Sequence, residues 1–158
     1  MAVWQFLIEL IPRDWAEENS YDAGPLQDDE GYATQIAWEN RQPEIDVVPV
    51  LSRILPPAES WNKDLIFFGD NQSDDIEVWH HDQVIEGISM RIDLKKDVKR
   101  TVVKVVRAAK KLGCIFFIPE KGSFVEANEF ALIKMVKESD ASQFVDDPIG
   151  FLDDLDFD

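Results

Sequence analysis

Apolar side chains recur at every second position over residues 3–11, with Trp4, Phe6, Ile8 and Leu10 on one face and Gln5 and Glu9 beside Val3 and Leu7 on the other. That period predicts a half-buried strand, ended by Pro12. Residues 13–19 suit a short helical turn with Trp15 tucked beneath it. Residues 20–31 turn to Gly, Pro, Asp and Ser, the composition of an exposed loop. Over 32–40, Ile36 and Trp38 alternate while Ala33, Ile36 and Ala37 also fit a helical face, and the reading is a short irregular strand. Residues 44–55 predict a helix that accepts Pro49 near its first turn, where a missing N–H does no harm. Pro56 and Pro57 stop it.

A brief apolar strand at 65–68 leads into strong turn chemistry at 69–73. Ile76, Val78 and His80 then alternate with Glu77, Trp79 and His81. After Asp82 and Gln83, the alternation resumes with Ile85, Gly87, Ser89, Arg91 and Asp93 on one face and Val84, Glu86, Ile88, Met90, Ile92 and Leu94 on the other, which predicts a hairpin. Asp97 is a candidate N-cap for a helix in which Val98, Val102, Val105, Val106, Ala109 and Leu112 share one face. Lys99, Arg100, Lys104, Arg107, Lys110 and Lys111 take the other, and Gly113 is the stop. Valine is a poor intrinsic helix former, so packing must hold this segment. Residues 114–119 form an apolar strand, 120–122 a tight turn and 123–127 a short return. Asn128 caps a last helix, with Phe130, Ile133, Met135 and Val136 as core candidates. The order of elements predicts an α+β fold: a mixed or largely antiparallel sheet built from hairpins, with helices mainly on one face. Residues 1–140 form a single domain, and 141–158 an acidic C-terminal segment docked through Phe144, Ile149, Phe151 and Leu152, with Leu155 continuing the stripe.

Composition supports a real core, since 45% of the 158 residues are hydrophobic and there are 5 Trp and 10 Phe. Charge adds a second message, because 32 acidic and 16 basic residues give −16. Residues 1–94 are net −15, residues 95–137 net +7 and residues 138–158 net −8. Such a distribution bears on partner choice and association rate rather than on fold. The single Cys114 excludes an intramolecular disulfide and cannot build a four-ligand zinc site, so a reducing cytoplasm is the expected home. The apolar run at 3–11, broken by Gln5 and Glu9, is neither a signal peptide nor a membrane span. Acidic loops would be repelled by anionic lipid and by nucleic acid.

His80, His81 and Asp82 are the one cluster of metal-ligand type, but adjacent strand residues point to opposite faces. Carboxylates run in pairs at Asp28-Asp29-Glu30, Asp74-Asp75-Glu77, Asp146-Asp147 and Asp153-Asp154, yet no stretch has the spacing of an EF-hand loop. No cofactor is expected. Cys114 opens an apolar strand and is read as a buried, inert thiol. The basic helix face could meet nucleic acid through Lys99, Arg100, Lys104 and Arg107, but a solvated face neutralising nearby acids is the plainer reading.

The stretches Asp75-Ile-Glu-Val-Trp-His-His-Asp82, Ile88-Ser-Met-Arg-Ile-Asp93 and Leu112-Gly-Cys-Ile-Phe-Phe-Ile-Pro119 resemble a group of small bacterial proteins. In size and acidity the chain is also similar to bacterial immunity proteins that neutralise basic toxins. That resemblance implies a non-enzymatic, cytoplasmic protein whose acidic face covers a basic protein partner. Asp28, Asp29, Glu30, Asp74, Asp75 and Glu77 would supply the charge, and Trp38, Trp61 and Trp79 the anchors. The alternative is a small hydrolase or transferase using carboxylates with His80 or His81. Hairpins able to add strands across a two-fold axis leave a homodimer open.

Overall fold

The computed structural model describes residues 1–149. In chain order the elements are β1 (Gln5–Pro12), α1 (Arg13–Glu18), a 3-10 turn (Gly24–Leu26), β2 (Gln27–Asp28), β3 (Gly31–Tyr32), α2 (Gln35–Trp38), α3 (Val47–Leu51), β4 (Pro57–Ala58) and β5 (Leu65–Gly69). They continue with β6 (Asp75–His81), β7 (Val84–Asp93), α4 (Val98–Lys111), β8 (Cys114–Ile118), β9 (Ser123–Val125), α5 (Glu129–Lys137) and α6 (Asp140–Asp146). The fold is α+β in a single domain. No described helix is long and apolar enough to cross a membrane.

One antiparallel sheet runs in the order β4-β5-β6-β7-β1-β8-β9, and β2 and β3 pair separately. Because β7 and β8 both run antiparallel to β1, they run parallel to each other, and α4 is the crossover that joins them across β1. The period-two pattern of β1 becomes the core through register: Phe6, Ile8 and Leu10 stand opposite Ile92, Met90 and Ile88, and Leu10 also stands opposite Phe116. These rows are buried beneath α3, α4, α5 and α6, which contribute Val50, Leu51, Val102, Val105, Val106, Leu132, Val136 and Ala141. α4 starts where Asp97 accepts a hydrogen bond from the Arg100 N–H at 3.2 Å, and it ends before Gly113 at φ +67°.

A smaller core lies on the other sheet face. Ile11, Ile115 and Phe117 are covered there by Trp15 and Ala16 of α1, by Leu26 and by Ala37. Tyr32 meets Phe117 edge-on at 4.8 Å. Beyond this layer, on the same face over β5, β6, β7 and the middle of β1, Leu65, Phe67 and Asp75 are buried and Glu9, Glu77, Trp79 and Ser89 are half-buried, which leaves a strip with polar side chains within reach of solvent.

Four local expectations change. Residues 32–40 form β3 followed by α2 rather than one irregular strand, because Ala37 enters the small core and Trp38 the large one, and a four-residue helix is too short to set a period. The helix expected at 44–55 shortens to α3, capped by Asp46 accepting from the Val48 N–H, with Pro49 at the third helical position, where its missing N–H has no intrahelical partner. In the β6–β7 hairpin, Trp79 pairs with Gly87 but His80 pairs with Ile85, so Glu86 is an extra residue that turns Ile85 into the helix-side core. Phe130 is not a core residue: it is 88% exposed, since it lies about 200° around α5 from Leu132.

Ala141 of α6 is buried and Phe144 half-buried, whereas Ile149 is exposed. Phe151, Leu152 and Leu155 lie outside the described residues.

Candidate functional site

The strip over β5, β6, β7 and the middle of β1 has a definite register. Phe67, Glu77, Ser89 and Glu9 form one row across β5, β6, β7 and β1. Leu65, Trp79 and Gly87 form the row on one side, and Asp75, Arg91 and Leu7 the row on the other. Polar residues at alternate positions of otherwise apolar strands therefore collect on one surface.

Each row has its own electrostatics. Asp75 is only 1% exposed and is held by Arg91, whose Nε donates to Oδ1 at 2.9 Å while its terminal nitrogen donates to Oδ2. The same guanidinium stands 3.7 Å from Glu77, which also accepts from the Trp79 indole N–H at 3.2 Å. Burial pushes the Asp75 carboxyl up, opposed by the hydrogen bonds and charge of Arg91. Burial also pushes the Glu9 carboxyl up, and a side-chain hydrogen bond with Thr34, just before α2, opposes it. Among the described residues Glu9 is in no ion pair. Glu9, Thr34, Trp79, Glu86, Gly87 and Ser89 line a cleft of about 320 Å³ here.

The residues expected to face a partner separate into three groups. Asp28, Asp29 and Glu30 are exposed on the β2–β3 turn, where Asp28 accepts from the Glu30 N–H at 2.9 Å. Trp61 is 61% exposed and meets Phe67 edge-on at 5.0 Å, while Glu77 and Trp79 are half-buried on the strip. Trp38, Asp74 and Asp75 have structural duties instead. Trp38 is 1% exposed with its indole N–H donating to the Leu10 carbonyl at 3.2 Å, so it has no surface to offer a partner. Asp74 accepts from the Asp93 N–H at 2.6 Å, and Asp75 is spent on Arg91. The expected solvated acidic turn is thus half woven into the sheet. Gln5 adds a bond from its amide to the Asn71 carbonyl at 3.3 Å, and Lys95 stands 3.9 Å over the Trp4 ring.

The two histidines do not converge. His80 follows Ile76 and Val78 to the helix side by alternation, into a cleft with Val48 and Ile66, while His81 is exposed 3.5 Å from Asp82. Among the described residues no three His, Cys, Asp or Glu side chains are placed to hold a metal ion. Cys114 is 1% exposed, and burial pushes its thiol up to about 12. A cleft of about 560 Å³ at the end of α4 brings Arg13, Arg41, Lys110 and Lys111 together. Its two arginines are engaged, Arg13 with Glu126 at 2.8 Å and Arg41 with Glu18.

Charge is divided across the sheet. Residues 13–40, which supply the cover of the small core, carry eight carboxylates against Arg13 alone. α4, on the opposite side, carries six cations and no carboxylate, and among the described residues none of the six is in an ion pair.

Sequence reading missed Glu9, Thr34, Gly87, Ser89 and Arg91. The available signal was the polar face of two long strands, legible as alternation, but which parts of that face would be covered depends on where residues 20–40 cross the sheet. No family model, curated protein or solved structure matches the chain.

Proposed function

We propose that this is a non-enzymatic binding protein that covers a basic protein partner, in the manner of a cytoplasmic bacterial immunity protein neutralising a toxin. The observation that carries the reading is the polarity across the sheet. The carboxylate-rich layer of residues 13–40 and the strip with Glu9, Glu77, Trp79 and Trp61 belong to one side, and the cations of α4 to the other. A cationic partner is steered to the first side and repelled by the second, which orients the encounter before any contact forms. Half-buried Trp79 and exposed Trp61 then supply aromatic area for desolvated contacts. The alternative hydrolase reading would use His80, whose cleft holds one carboxylate, Asp46, which already caps α3 by accepting from the Val48 N–H.

The test is affinity capture from lysate of the source organism with immobilised wild type and with the D28N/D29N/E30Q variant in parallel, each eluted by a salt gradient. Recovery of one basic protein by the wild type, released earlier from the variant, supports the reading. Equal retention by both, or capture of no basic protein, refutes it.

A further inference from the structure

The cleft beside Glu9 contains an unusual combination for so acidic a molecule. On this face buried Asp75 has a guanidinium against it, whereas half-buried Glu9 has one hydroxyl partner and, among the described residues, no cation. A desolvated carboxylate without a counter-charge is costly, and a cation brought to it recovers that cost. Trp79 forms an aromatic wall of the same cleft, and rings of this kind attract cations over their faces. Ser89 and Thr34 add acceptor hydroxyls, and Glu86 adds a carboxylate at the rim, left outside the ladder by the bulge. Space comes from Gly87, the bare position in the middle of β7: a Cβ there would have only the Thr34 hydroxyl within reach, at an ordinary 3.6 Å.

We propose that this cleft is a pocket for a cationic side chain of the protein partner, with an arginine guanidinium laid against Glu9 and Trp79. A guanidinium suits it better than an ammonium because its planar fork donates to a carboxylate and to flanking hydroxyls while its face stacks on an aromatic ring. The source of the cation rests on the binding-protein reading above. The chemistry of the pocket does not.

The experiment is an NMR titration of the whole chain with N-acetyl-arginine amide, using the isosteric uncharged N-acetyl-citrulline amide as control. Two variants accompany it: Glu9→Gln, which removes the charge, and Gly87→Val, which fills the space at a strand position that accepts a β-branched residue. The expected result is saturable shifts at the Glu9, Thr34, Gly87 and Ser89 amides and the Trp79 indole with the arginine probe alone, weakened about tenfold or more in both variants. Thermal midpoints at or above wild type show that the variants are folded. Equal response to citrulline, shifts centred elsewhere, or wild-type affinity in both variants would overturn the pocket. If a captured basic partner binds wild type and G87V equally, the pocket fails while the binding reading stands. If the arginine probe binds as expected but no basic protein is captured, the pocket stands for a free small guanidinium compound and the partner reading fails.

Discussion

Glu9 and Asp75 lie on one sheet face, both partly or wholly desolvated, and only Asp75 has an arginine to hold its charge. The folded protein therefore holds a proton on Glu9 at pH values where the unfolded chain, with an ordinary carboxyl, has lost it. Stability from this group is fully present below the ordinary glutamate range and is lost as pH rises through the raised value. Glu9→Gln should accordingly raise the thermal midpoint at neutral pH, with the gain over wild type shrinking as pH falls below that range; a midpoint lowered at neutral pH would contradict it. Arg91→Met leaves the Asp75 carboxylate buried without its guanidinium and should cost about 3 kcal/mol in urea unfolding. Gly69 is a second point of constraint. It sits at φ +82°, and a Cβ would run into the Asp74 carbonyl and Leu55, so Gly69→Ala should cost about 2 kcal/mol or more.

At the scale of elements, local chemistry predicts where helices begin better than which residues they bury. Asp97, Asn128 and Asp46 are all side-chain caps, and Asp97→Ala should lower stability by about 1 kcal/mol. α5 shows the other side. Its apolar residues nearly encircle the helix, so the sequence offers no unique face, and packing against α4 selects Leu132 and Val136 and leaves Phe130 in solvent. Leu132→Ala should cost about 3 kcal/mol and Phe130→Ser close to nothing, a contrast that urea unfolding of the two variants checks directly. The β6–β7 hairpin is similar: alternation located both strands and the face of His80, but the bulge at Glu86 reassigned Ile85 to the other face. A single inserted residue reverses the facing of everything beyond it.

Over the whole molecule, a net −16 is unevenly placed: residues 13–40 over the small core carry eight carboxylates, while α4 on the other side of the sheet carries six cations and no carboxylate. If the acidic side receives the partner, neutralising Asp28, Asp29 and Glu30 together should slow association by about tenfold at low salt and flatten its salt dependence, leaving dissociation little changed, as stopped-flow mixing would measure. The α+β class, the strands β1 and β5 to β9, the helix α4 with its cap and stop, and the segregation of charge along the chain were determined by the sequence itself. These follow from period, caps and composition, which act over a few neighbouring residues. The placing of β1 between β7 and β8, the burial of Trp38 and Asp75, and the cleft joining Glu9 to Trp79 were decided only by the tertiary structure. Each depends on residues far apart in the chain meeting at a particular register, and no local pattern encodes that.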